Sequence, residues 1–255
     1  MQFSKWHTLG NSYLLVERAE LGRPLDAGQA RLLCDVRYGI GADGVLEVVS
    51  VAGARAAIVI WNPDGSVAEF SGNGSRIAAA WLAERSGSRA VVVSASGREY
   101  RAMTRGSEIE LEVGPVGVRE PETIDLGEER IELTSVSVGN PHAVVRRDAD
   151  REELLRLGPL LERHERFSER TNVQLVRVDG LHDVTALVWE RGAGETSASG
   201  SSAVAVAAAA IANGWCESPV TVHLPGGDLS VTLDEDNYAT LTGPAEPICT
   251  GETVN

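Results

Sequence analysis

Two short segments of this chain are built to hold an anion: Ser71-Gly72-Asn73-Gly74-Ser75 and Ser199-Gly200-Ser201-Ser202-Ala203, each opening an Ala-rich run. A hydroxyl residue followed by small residues at the head of a helix is an N-cap signature. The amides there and the positive end of the helix dipole favour negative charge, and a substrate carboxylate is the natural guest. Ser71 and Ser199 lie 128 residues apart in a chain of 255. Two such sites at equivalent places in a duplicated chain are expected to approach one ligand from opposite sides, an arrangement suited to chemistry on both faces of one carbon.

Other polar residues gather near these segments. Asn62-Pro63-Asp64-Gly65-Ser66 precedes Ser71, and Glu190-Arg191-Gly192-Ala193-Gly194-Glu195-Thr196 precedes Ser199, so equivalent strand ends supply different groups, with Asn62 matching Glu190. An Arg beside a Glu can grip a carboxylate bidentately and an ammonium through the acid, and unlike walls hold a chiral molecule in one orientation. A surface ion pair is the plainer alternative. Asn11, Asn140 and Asn172 follow Gly10, Gly139 and Thr171, where asparagine is usually a turn residue. His142, after Asn140-Pro141, is a proton carrier, an orienting group or a structural histidine, since imidazole titrates near neutral pH. His7, His164, His182 and His223 form no metal constellation, and no metal is expected.

The elements that must position these groups repeat as well. Trp61 matches Trp189, Gly114-Pro115 matches Gly243-Pro244, and Gly10-Asn11 matches Gly139-Asn140. Ala56 to Trp61, Val91 to Val93, Glu108 to Val113, Val184 to Trp189 and Val220 to Leu224 read as strands. Asp26 caps a helix reaching about Arg37, Asp148 or Asp150 caps one through Leu161, and an Ala-rich helix follows each Ser motif. Ile77 to Leu82 and Val204 to Ile211 are apolar almost all round, which predicts helices enclosed by sheet. The stretch from Val116 to Gly127 reads as a linker between domains 1–117 and 118–255, with the tail 245–255 returning to the first domain.

The 23 basic and 37 acidic side chains leave a net charge of −14, which disfavours nucleic acid. No apolar stretch reaches the roughly 18–20 residues of a spanning helix, and the first residues lack a signal-peptide core. A cytoplasmic protein with no membrane partner is expected. Cys34, Cys216 and Cys249 have no metal-type spacing and read as small buried or half-buried side chains.

With these motifs in view, the chain resembles the diaminopimelate epimerase family. The resemblance runs through Lys5-Trp6-His7-Thr8-Leu9-Gly10-Asn11, Gly39-Ile40-Gly41-Ala42-Asp43-Gly44, Asn62 to Ser66, Gly72-Asn73-Gly74, Gly139-Asn140-Pro141-His142, His164 to Asn172 and Glu190 to Thr196. It implies an α+β fold of two pseudo-symmetric domains, each a β-barrel-like sheet around a central helix, with the active site in the cleft between them. It implies a cofactor-independent isomerase of lysine and peptidoglycan precursor synthesis, acting on LL- and meso-diaminopimelate, and a homodimer. By resemblance, Asn11, Asn62, Asn140, Asn172, Glu190 and Arg191 contact the amino acid. Gly72-Asn73 and Gly200-Ser201 bind its α-carboxylate.

One departure bears on mechanism. The family uses two cysteines, a thiolate base and a thiol acid, where this chain has Ser71 and Ser199. A thiol ionises near about 8.5 and an alcohol, like water, near about 15.7. That gap is on the order of 10 kcal/mol, against up to ~2 kcal/mol from a helix dipole. Three readings follow: an epimerase whose two cysteines were replaced by design, leaving a site that binds but is inactive; a natural relative doing other acid–base chemistry (isomerase, dehydratase or cyclase) through Glu190 or His142; or an amino-acid-binding protein without turnover. Ser12, Tyr13, Thr8 and Ser202 are milder departures.

Overall fold

The computed structural model describes residues 1–127 and 129–253; the last two residues of the expected C-terminal tail lie outside them. Along the chain run β1 (Gln2–Thr8), β2 (Asn11–Glu17), α1 (Arg18–Leu21), α2 (Ala27–Cys34), β3 (Val45–Ala52), β4 (Arg55–Trp61), α3 (Gly72–Ser86), β5 (Ala90–Ala95), β6 (Arg98–Arg105) and β7 (Glu108–Pro115). There follow β8 (Gly117–Val118), β9 (Glu122–Asp125), β10 (Arg130–Ser137), β11 (Pro141–Arg146), α4 (Arg151–Glu162), β12 (Asn172–Val178), β13 (Asp183–Glu190) and β14 (Gly194–Thr196). The chain ends with α5 (Gly200–Ala212), β15 (Val220–Leu224), β16 (Gly227–Leu233), β17 (Tyr238–Pro244) and β18 (Glu246–Glu252). Two compact units result: Met1–Glu112 together with the segment from Thr242 onward, and Val113–Leu241. The chain passes from the first unit to the second within β7 and returns within β17.

In the first unit, β2 runs parallel to β3 and β4 parallel to β5, while β1–β2, β3–β4, β5–β6, β6–β7 and β1–β18 are antiparallel. The second unit repeats the scheme with β11 parallel to β12 and β13 parallel to β15. The registers coincide too: Val45 faces Trp61, and Val173 faces Trp189. The repeat read from sequence is therefore one of strand register. It survives because a slip by one residue would turn every apolar side chain to the wrong face.

Each unit encloses its Ala-rich helix. Gly72–Ala80 and Leu82 of α3, and Gly200–Ala210 of α5, are buried. Helix α3 touches β1, β2, β4, β5 and β6, and α5 touches β10, β11, β12, β13, β15 and β16. Alanine costs a helix least, and its short side chain lets sheet approach from several sides. Helix α4 instead packs one stripe, Leu154, Leu157 and Leu161, onto its sheet.

Some expectations shift. The helix from Asp26 ends at Cys34, short of Arg37, where Asp35 accepts from the amides of Arg37 and Tyr38 and turns the chain. Of the two candidate caps for α4, Asp150 is the one used. The stretch from 116 to 127 contains β8 and β9, both paired to β10, because Ile124 buries against the second unit's core rather than lying in a free linker. Cys34 and Cys216 are buried, whereas Cys249 is exposed. Among the described residues, no helix is long and apolar enough to cross a membrane.

Candidate functional site

The first unit's polar wall forms around the head of α3. Ser71 is extended (φ −140°, ψ 114°), and its Oγ accepts from the Gly74 amide at 3.0 Å, the capping bond expected of its place. The same Oγ shares a 3.0 Å hydrogen bond with Tyr13 Oη. Tyr13 comes from β2, and its ring reaches α3 because residue 44 is glycine: a Cβ there would stand 2.4 Å from Tyr13 Cε1. Leu9 and Gly10, with φ of 51° and 86°, make the two-residue turn between β1 and β2, so Asn11 begins β2 opposite Thr8.

Asn11 is fixed from within. Asn73 Nδ2 donates to Asn11 Oδ1 at 3.0 Å, and Arg76 Nη2 donates to Asn73 Oδ1 at 3.0 Å and to Thr8 Oγ1 at 2.5 Å. Arg76 is wholly buried, and its Nε and Nη1 have no hydrogen-bond partner. Burial pulls its guanidinium down to about 10, which leaves it cationic at neutral pH. Ser71, Asn73 and Asn11 are thus brought together. Asn62 follows β4, and its Nδ2 donates to Ser66 Oγ at 2.9 Å within its own turn.

The second unit's polar wall is organised differently. Ser199 caps the start of α5 in extended conformation, but its side chain makes no capping hydrogen bond. Gln174 Nε2 donates to Ser202 Oγ and to His142 Nδ1, both at 3.0 Å, and His142 Nε2 meets Asn140 Oδ1 at 3.0 Å. With Nδ1 accepting, His142 is the neutral tautomer that donates through Nε2. The side-chain network reaches α5 at Ser202, which gives that departure from the family pattern a place; Ser201 is buried beside it.

Asn172 joins the next loop to this chain. Its Nδ2 donates to the Pro141 carbonyl at 2.9 Å, and its Oδ1 accepts from the Arg191 amide at 2.9 Å. Arg191 Nη1 also donates to the Glu169 carbonyl at 3.2 Å. Buried Glu162 accepts from the Gly192 amide at 2.9 Å, from Trp189 Nε1 at 2.8 Å and from Arg170 Nη1 at 3.2 Å. The Glu190–Arg191 loop is thereby held at its base. Asn140 and His142 border a recess of about 520 Å³ within this unit, which Arg166, Glu169 and Arg170 also line.

His142 is fully buried, and loss of hydration, with the Arg191 charge adding to it, holds its imidazole down to about 3. Of the roles the sequence leaves open for His142, burial and the bonds to Gln174 and Asn140 favour the orienting one. Burial pushes the Cys34 thiol up to about 11 and raises Cys216 as well, so neither buried thiol is poised as a thiolate.

Sequence reasoning passed over Arg76, Gln174 and Glu162. Glu162 closes α4 beside Arg163, His164, Glu165 and Arg166, a charged stretch that reads as solvated surface, and Gln174 falls in a strand that reads as apolar. Arg76 carried a signal: a lone cation in a run otherwise apolar on every face of a helix must be buried.

The fold has solved counterparts. A probable proline racemase from Agrobacterium radiobacter superposes with a TM-score of 0.77 at 17% identity, over 99% of this chain and 92% of that one. A hydroxyproline epimerase from Agrobacterium vitis gives 0.75 at 18%, over 98% and 91%. This is the fold of the racemase and epimerase class of isomerases. The family model for diaminopimelate epimerase matches residues 3–128 and 134–248. The diaminopimelate epimerases of Synechococcus elongatus and Pelotomaculum thermopropionicum are 35% and 37% identical, each over at least 98% of this chain and 97% of their own length. The chain belongs to the diaminopimelate epimerase family.

Proposed function

We propose that this chain is a cofactor-independent epimerase that interconverts LL- and meso-diaminopimelate by moving the proton on one α-carbon. Family membership supports the reading, and one observation carries it: a serine heads each enclosed helix at repeat-equivalent positions, with helix-start amides beside it. In this reading the α-carboxylate sits on the amides of Gly72-Asn73 and Gly200-Ser201, where the helix dipole favours its charge. Asn11, Asn62, Asn140, Asn172, Glu190 and Arg191 hold the amino acid. Ser71 and Ser199 face the α-carbon, and Glu190, with His142 as the alternative, is an ionisable group beside them. A cytoplasmic homodimer acting on a small amino acid, with no nucleic-acid or membrane partner, is the setting the family suggests.

A second reading is binding without turnover, favoured by the two alcohols that stand where the family has thiols. The test that separates the two is NMR-detected α-proton exchange in D2O with LL- and meso-diaminopimelate. Exchange with appearance of the other isomer supports the epimerase. Binding without exchange supports the second reading, and the double variant Ser71→Cys, Ser199→Cys should then gain exchange.

A further inference from the structure

We propose that the phenol of Tyr13 supplies the proton for the Ser71 side of the reaction, acting through the Ser71 hydroxyl; this rests on the epimerase reading. Tyr13 is 7% exposed, its ring lies against Gly44, and its Oη is 3.0 Å from Ser71 Oγ. The Gly74 amide donates to the same Oγ. A serine hydroxyl has one proton and two lone pairs. Either hydroxyl can donate in the Tyr13–Ser71 bond; when Tyr13 donates, it and the Gly74 amide take both lone pairs of Ser71 and leave the Ser71 proton to give.

The step balances. The electron pair of the α-carbanion takes the Ser71 proton and forms Cα–H. As the Ser71 O–H bond breaks, Oγ takes the proton of Tyr13, and the negative charge ends on the Tyr13 phenolate. In reverse, the phenolate takes the Ser71 proton while Oγ takes the α-proton. The alcohol never carries the charge, and a phenol ordinarily ionises near 10 against about 15.7 for a water-like hydroxyl. The relay thus replaces what a cysteine would have supplied directly.

Charged and titratable groups on the surrounding elements have partners of their own. On β1, Lys5 donates to the Gly41 carbonyl and His7 pairs with Glu246; both alternate to the face opposite Trp6, the residue paired with Tyr13. On β3, Glu47 accepts from Arg18, Leu25 and Trp61. Asp43 accepts from the amide and hydroxyl of Ser12, and Arg76 of α3 holds Thr8 and Asn73.

The test follows α-proton exchange from LL-diaminopimelate in D2O across pH for the full chain, for Tyr13→Phe, and for the chain with 3-fluorotyrosine at position 13. Tyr13→Phe is expected to lower exchange at least ~100-fold, the lower range for losing a positioned proton carrier, with diaminopimelate affinity within about threefold. The more acidic 3-fluorotyrosine is expected to move the alkaline limb of the pH profile to lower pH, which a packing role would not do. An active Tyr13→Phe with the parent's profile, or an unmoved limb with 3-fluorotyrosine, overturns this inference and leaves the epimerase reading standing. A parent chain that binds but never exchanges overturns both.

Discussion

Both halves of this protein fix the asparagine of a Gly-Asn pair by its carbonyl oxygen, and they do so with unrelated groups. Asn11 is held by Asn73, itself anchored by buried, cationic Arg76. Asn140 is held by neutral His142, itself anchored by Gln174. In each case Oδ1 is the accepting atom, so the amide turns its Nδ2 side the same way relative to its own anchor. The tryptophans repeat the lesson: Trp61 donates to Glu47 of β3 and Trp189 to Glu162 of α4, acids from positions that are not equivalent. Duplication kept the backbone register and let the polar anchors diverge. The asymmetry needed to hold a chiral molecule resides in the side chains.

The comparison can be broken at its anchors. Arg76→Ala should cost about 3 kcal/mol in urea unfolding, because it opens a large cavity and strips Thr8 and Asn73 of their donor. Arg76→Met should recover most of that, since an apolar residue of similar size avoids burying a charge. A Met variant as unstable as the Ala one would show that the charge itself holds the wall together.

The neutral anchor gives a pH signature. His142 is depressed from 6.5 to about 3 in the folded chain, so below pH 6.5 the unfolded state takes up a proton the native state refuses. Stability is fully present above 6.5 and falls with pH toward 3. Between pH 6.5 and pH 5 this one group should remove about 1.5 kcal/mol, measured as the difference between unfolding curves of the parent and His142→Gln. Carboxylates lowered from 4.5, such as Glu47, act below that window. His223, raised by Asp228 and Asp183, has the opposite sign: it stabilises below 6.5 and loses its contribution as pH rises through its raised value.

The smallest effect separates the two caps. Ser71→Ala should cost about 1 kcal/mol by losing the Gly74 bond, and Ser199→Ala only a few tenths. Equal losses in thermal or urea unfolding would mean that the two helix starts are energetically alike.

Much of this was legible in the residues. The match of Trp61 with Trp189 showed in the repeat, and the caps at Ser71 and Asp26, with Asp148 or Asp150 for α4, followed from local rules that act within a few residues. What stayed hidden depends on partners far along the chain. Glu47 reads as a charge within a strand, and only the arrival of Arg18, Leu25 and Trp61 makes its burial tolerable. The Tyr13–Ser71 bond spans 58 residues and needs Gly44 to make room, which no spacing rule announces. His142 was recognised as a titratable group, but its protonation state follows from burial, a property of the whole unit.

The path of the chain between units sets an order of assembly during synthesis. The second unit is one unbroken stretch, Val113–Leu241, all of it translated before β18. The first unit is split, and β18 pairs with β1 from Gln2↔Glu252 to His7↔Glu246, with the Thr253 amide donating to the Met1 carbonyl at 2.9 Å. Until β18 emerges, a nascent chain therefore carries an open strand edge on β1, the kind of edge that recruits other chains. That edge is closed only when β18 pairs with it.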